Sequence, residues 1–168
     1  GKASIKDMVC GAIDAGFTDI GFSGHSFFYF SSDWHMAVSD YPIYAKEVRE
    51  AAYAYKNKIK VRLGFEADYV PGLTAPDRSL YAIHNPDYLI GSVHYVLNPK
   101  VTAFNPWCVD APEEEILNGL QNCFGGSSKD GIQAYYNTIR EMVTKCDFDI
   151  IGHLDLPQKR NKKLRFFD

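Results

Sequence analysis

Apolar residues at Ile5, Met8, Val9, Ala12 and Ile13 recur at the spacing of one helical face. Ser4 precedes them as an N-cap with Asp7 three residues on, and Gly16 follows as a stop, so the pattern predicts a helix over 4–16. The period then changes. "FTDIGFSGHS" is a short apolar run of the kind a buried strand leaves, and the loop "FFYFSSDWHMAVSD" leads to Pro42, at the first turn of a helix reaching about Lys58. "KVRLGFEADYV" gives a second strand, Ala75 to His84 a short helix, Tyr88 to His94 a third strand, and Asn98 to Asp110 an irregular excursion. Asp110-x-x-Glu113, with Pro112 between, is a helix-start signature for a segment ending at Gly125-Gly126. A longer amphipathic helix from about Lys129 to Cys146 sets Ile132, Tyr136, Ile139 and Val143 on one stripe, which reads as core packing. "FDIIGHLDL" closes the pattern with a fourth strand.

Strands that are apolar on both faces and alternate with helices predict an α/β fold, a parallel sheet with helices packed outside it. No repeat or linker divides the chain. Its 168 residues, 46% hydrophobic and 14% aromatic, suffice for one core and exclude a disordered class. Eighteen basic against 21 acidic residues give a net charge of -3, without the broad basic face that nucleic acid requires, although Lys159, Arg160, Lys162, Lys163 and Arg165 cluster locally. Cys10, Cys108, Cys123 and Cys146 form no Cys-x-x-Cys pair, which points to free thiols in a reducing cytoplasm. No apolar run has the length of a membrane span.

Chemistry enters at the strand ends. The four strands close with His25 in "GFSGHS", Glu66 in "LGFEAD", His94 in "GSVHYV" and His153 in "IIGHLD". In a (β/α) barrel the C-terminal ends of the strands converge on one rim, where side chains from different strands meet. Three imidazoles and a carboxylate form a donor set suited to zinc, manganese or iron, and a carboxylate has two oxygens with which to bridge two ions. A core histidine bonded to a carbonyl would account for one strand end and leaves the other three unexplained.

"DAGFTDIGFSGHS", "LGFEADYVPG", "DYLIGSVHYV" and "FDIIGHLDL" resemble, in order and surroundings, the strand motifs of the polymerase and histidinol phosphatase (PHP) superfamily, and within it the histidinol phosphatases most closely. The likeness runs from Ala12 to about Asn161. It implies a distorted seven-stranded (β/α) TIM-like barrel, a trinuclear cluster of divalent metals (zinc, manganese or iron), and hydrolysis of L-histidinol phosphate in histidine biosynthesis. By position, Glu66 matches the bridging carboxylate, His94 and His153 ligands of one shared metal, and His25 a ligand of the third. The family pattern opens with a His-x-His strand and closes with an Asp-x-His strand, both outside this sequence. Residues 1–168 are therefore expected to be a single metallophosphoesterase domain, incomplete at both ends and inactive alone. The family also carries aspartate before the second-strand histidine, where this chain has Gly24.

A phosphate monoester hydrolyses very slowly in water, so a catalyst must supply a nucleophile at neutral pH and neutralise phosphoryl charge; clustered metals do both. No Ser-His-Asp set, Gly-x-Ser-x-Gly elbow or P-loop competes with that reading. Asp155, two residues beyond His153, would share its side of a strand that continued so far, where it could orient a ligand or move a proton. Lys159 and Arg160 are candidates for the substrate phosphate, and His35, beside Trp34 in the long loop, for a contact closing over the substrate. Asp68 is read either as a carboxylate supporting the ligands or simply as a polar strand end, and His84 is read as a surface residue. Other readings are a phosphoesterase of the same fold acting on another small ester or a nucleic-acid end, and a degenerate metal-binding domain without activity.

Overall fold

Ser4 and Asp7 form a reciprocal capping box, the Ser4 side chain accepting from the Asp7 amide and the Asp7 carboxylate from the Ser4 amide, and α1 (Ile5–Asp14) starts there. The computed structural model describes residues 3–26, 34–100 and 105–165, apart from the side chains of 162–164. The remaining elements are β1 (Asp19–His25), α2 (Tyr41–Tyr55), β2 (Lys60–Asp68), α3 (Arg78–Tyr81), β3 (Tyr88–Ser92), β4 (Tyr95–Val96), β5 (Trp107–Cys108), α4 (Glu113–Phe124), α5 (Ser128–Lys145), β6 (Ile150–Ile151) and α6 (Gln158–Leu164).

The expected parallel sheet is present, ordered β1-β2-β3-β6, so each strand lies beside its predecessor in this sheet. One face is covered by helices. Tyr41, Ala45, Val48 and Ala51 recur down one side of α2 and pack, with Val9 of α1, against Phe22, Leu63, Phe65, Ala67 and Leu89. Burying an aliphatic or aromatic side chain of this size contributes roughly 1.5–3 kcal/mol, so this contact, more than intrinsic helix propensity, holds α2 in place.

At the opposite, N-terminal end of the strands an aspartate is used repeatedly. The Asp87 carboxylate, just before β3, accepts from the Leu63 amide and from Arg49. Asp149, just before β6, accepts from the Leu89 amide and from Arg78, and Asp19 pairs with Arg62. The Asp87 and Asp149 carboxylates satisfy strand amides that the ladder leaves over. They form a structural rim, away from the histidines.

Several expectations shift. The excursion after Asn98 holds a two-stranded antiparallel sheet, Tyr95 opposite Cys108 and Val96 opposite Trp107; residues 101–104 of it lie outside the described residues. Trp107 is fully buried and fits a notch at two helix glycines: a Cβ on Gly119 would stand 2.8 Å, and one on Gly131 3.1 Å, from its indole. α5 consequently turns Tyr135, Thr138, Ile139 and Met142 inward and leaves Val143 47% exposed, a rotation away from the expected stripe. Asp110 does not cap α4: Pro112 holds the N-cap position, and the Asp110 carboxylate pairs with Lys159. His84 is half-buried rather than superficial, its ring edge-on to Tyr41 at 5.6 Å. The four cysteines are free thiols, and no described helix is long and apolar enough to cross a membrane.

Candidate metal centre

Parallel register delivers the candidate ligands to one end of the sheet. His25 ends β1 opposite Glu66, and Asp68 ends β2 opposite Ser92. His94 and His153 each follow two residues after β3 and β6. Because side chains alternate along a strand, Glu66 and Asp68 point to the face that α2 does not cover, away from Phe65 and Ala67.

There the groups meet. Glu66 Oε1 lies 3.3 Å from His153 Nε2, 3.8 Å from His25 Nδ1 and 3.9 Å from His94 Nε2. The two Nε2 atoms of His94 and His153 are 3.1 Å apart. His25, Glu66 and His94 each direct one ligand atom to within 4.8 Å of the others. Nitrogen and oxygen ligands at about 2.0–2.2 Å from a cation stand roughly 3.4 Å from one another in a tetrahedron, so these separations fit a divalent ion with little rearrangement. The donor set is one that zinc, manganese and iron accept.

A second layer fixes the first. Asp68, 3% exposed, accepts from His94 Nδ1 through one oxygen and stands 3.1 Å from His35 Nε2 through the other. An Nδ1–H held by a carboxylate leaves the Nε2 lone pair of His94 turned to the cluster, which is the tautomer a metal requires. Ser92 Oγ donates to Glu66 Oε1 at 2.8 Å. Burial alone would raise the Glu66 pKa, but hydrogen bonds from His153 and Ser92 and the charges of His25 and His94 outweigh it and hold the carboxyl below its usual range. Burial likewise works against a charged His94; the Asp68 hydrogen bond and charge overcome it and raise the imidazole pKa. For His25 burial prevails and its pKa falls.

Gly24 lies on the other face of β1. Its amide donates to the Tyr44 hydroxyl, and a Cβ there would stand 2.7 Å from Met36 Cε. A carboxylate at this position would meet Met36 and Tyr44 and would not share the side of the strand that carries His25.

The remaining candidates lie around the cluster. His35 faces Asp68, its ring tilted 33° against Trp34 at 3.6 Å between centroids; residues 27–33 of its loop lie outside the described residues. β6 ends at Ile151, so alternation does not extend to Asp155, which is exposed in the turn before α6. Lys159 Nζ pairs with Asp110 at 3.0 Å, and Arg160 carries a buried Nε. A cavity of about 350 Å³ opens beside the cluster, lined by His25, Trp34, His94, Tyr95, Asp110 and Glu115 among others. Ser92 was legible from alternation, two residues before His94; Trp34 and Glu115 reach the cavity through tertiary packing that no local spacing reveals.

The PHP domain family model matches residues 1–166. A Deinococcus radiodurans protein named "Probable histidinol-phosphatase" is 31% identical over 156 residues, covering 92% of this chain and 55% of its own length. A Schizosaccharomyces pombe protein of the same name is 24% identical over 165 residues, 92% of this chain and 51% of that one. The chain thus spans about half the length of these curated relatives. In fold it is similar to the crystal structure of the "putative histidinol phosphatase hisK" of Listeria monocytogenes, with a TM-score of 0.75 and 21% identity over 95% of this chain and 63% of that one.

Proposed function

The chain belongs to the PHP domain family, and on that premise we propose that it carries most of the metal site of a cytoplasmic phosphomonoesterase that hydrolyses L-histidinol phosphate to L-histidinol and phosphate in histidine biosynthesis. The observation that carries this reading is the convergence of His25, Glu66, His94 and His153 from four neighbouring parallel strands. The names of the two relatives supply the substrate.

In this reading Glu66 would be the carboxylate shared within a trinuclear zinc, manganese or iron cluster, His94 and His153 would serve with it as ligands of one ion, and His25 would serve as a ligand of another. Divalent cations bound there acidify water and neutralise phosphoryl oxygens. The chain's own groups do the rest. Asp68 holds His94 in its ligating tautomer, and Ser92 fixes the rotamer of Glu66. Arg160, with Lys159 beside it at the start of α6, offers forked donors to the phosphate, while His35 borders the substrate side of the cluster. Asp155, in solvent after His153, exchanges the protons that hydrolysis moves.

The four strands are read as consecutive staves of a distorted seven-stranded barrel closed by strands outside residues 1–168. In support, β1 and β6 have no outer neighbour among the described residues, and Ile150 and Ile151 are 47% and 39% exposed. The test is phosphate release from L-histidinol phosphate by the complete gene product, stripped of metal and reloaded with zinc or manganese. Turnover should appear with metal and vanish with chelator; absence of turnover with every divalent metal overturns the reading.

A further inference from the structure

The four candidate ligands are not fixed alike. His25 and Glu66 stand opposite each other in the ladder between β1 and β2. His94, beyond the end of β3, is held twice, its carbonyl accepting from the Val109 amide at 2.9 Å and its Nδ1 bonding to Asp68. The His153 ring lacks such a support: its Nδ1 is buried and has no hydrogen-bond partner among the described residues. Its strand is only two residues long, and pairing ends one residue before it, where the Gly152 amide donates to the Gly91 carbonyl at 2.8 Å. What grips the residue is its carbonyl, which accepts from the Leu156 amide at 3.2 Å and from the Tyr135 hydroxyl at 2.8 Å.

The Leu156 bond closes the turn that follows and is local. The Tyr135 bond is not. Tyr135 is 0% exposed, on the inward face of α5 in the same core as Trp107, Ile116 and Ile139, so packing leaves its ring little freedom and its hydroxyl a fixed direction. A carbonyl can only accept, so the hydroxyl donates. The core formed by α4, α5 and β5 thereby reaches the metal site through one side-chain bond. We propose that Tyr135 is a positioning residue for the metal centre: through the His153 carbonyl, its hydroxyl sets where the His153 imidazole stands, with Nε2 3.3 Å from Glu66 Oε1 and 3.1 Å from His94 Nε2. The assignment rests on the metal-centre reading and is tested on metal binding, apart from any substrate. Tyr135 touches no reacting atom.

Tyr135→Phe removes the hydroxyl and keeps the ring. Ile139→Val, on the same helix and in the same core, supplies a comparable loss of stability with no hydrogen bond to His153 to lose. The complete gene product and both variants are stripped of metal and titrated with cobalt(II), whose visible d–d absorption reports the arrangement of its ligands. Losing one neutral hydrogen bond behind a ligand should weaken cobalt binding to Tyr135→Phe roughly three- to ten-fold and shift the absorption bands. Ile139→Val should bind cobalt as the unsubstituted protein does, although both variants melt a few degrees lower. Equal weakening in the two variants, or a Tyr135→Phe titration and spectrum identical to those of the unsubstituted protein, overturns the assignment. If Tyr135→Phe alone weakens cobalt binding and the unsubstituted protein does not hydrolyse L-histidinol phosphate, the assignment stands and the phosphatase reading fails; if the ester is hydrolysed and Tyr135→Phe leaves cobalt binding unchanged, the reverse holds. No uptake of cobalt by the unsubstituted protein removes the metal centre and the assignment together.

Discussion

Glu66 sits where three imidazoles converge, and its carboxylate supplies a charge that no neighbouring group replaces. Glu66→Gln in the complete protein should therefore weaken metal binding and cut turnover by about a hundred-fold or more, the loss expected when a charged stabilising group is removed from a reacting centre. His84→Gln should leave kcat/KM unchanged. Because His84 packs against Tyr41, that change should instead lower the melting temperature by a few degrees, roughly 1 kcal/mol for a half-buried contact. Asp68→Asn tests the second layer: it keeps the shape but loses the charge that fixes the His94 tautomer, and metal affinity measured by competition with a chelator should fall about 10–100-fold. The convergence of Glu66 with His25, His94 and His153 could be anticipated because each closes an apolar run, and burying an ionisable group there needs a partner. Asp68 was open in the sequence between a supporting carboxylate and a polar strand end, and its contact with His94 decides for the first. The contact of His35 with Asp68 was not legible, since it joins a loop to a strand end 33 residues away.

At the scale of elements, the strands have two different ends, and the chemistry is confined to one. Asp149 at the N-terminal end accepts from the Leu89 amide, which lowers its pKa; burial opposes this and Arg78 adds to it. A folded-state pKa below the unfolded value means that the stabilisation is fully present above the usual carboxylate range, near 3.9, and disappears as pH falls through the folded value. The stability gap between the native protein and Asp149→Asn, measured by urea unfolding, should thus be constant from pH 8 to about 5 and close in stronger acid. A gap that widened on acidification would mean that Asp149 is held protonated. Helices and strands were legible where period and caps agreed, as at Ser4 with Asp7. The sequence misled where a distant partner decided: Asp110 had the spacing of a cap, yet Lys159, 49 residues on, takes its carboxylate. The face of α5 was set by Trp107, on a two-residue strand too short to leave a period.

Taken as a whole molecule, the sheet is clothed by α1 and α2 on one face, while the other holds the cluster and at least partly exposed Tyr88, Ile90 and Ile150. An open sheet with apolar edges invites self-association. Purified residues 1–168 should accordingly be poorly soluble and release little phosphate from L-histidinol phosphate, whereas the complete gene product should turn over; sedimentation and a phosphate assay on both proteins check this. Robust turnover by residues 1–168 alone would show that four strand-end ligands suffice. The parallel order β1-β2-β3-β6 could be anticipated from alternating elements; among the described residues these strands form an open four-stranded sheet. His25, Glu66, His94 and His153 are expected to bind metal together. An anomalous difference map, collected at the zinc edge from crystals of the complete protein grown with zinc, measures that without reference to activity. It should show a peak about 2.0–2.2 Å from a Glu66 carboxylate oxygen and from the Nε2 atoms of His94 and His153; saturating zinc with no density between these residues, or with its peaks elsewhere on the molecule, would contradict it.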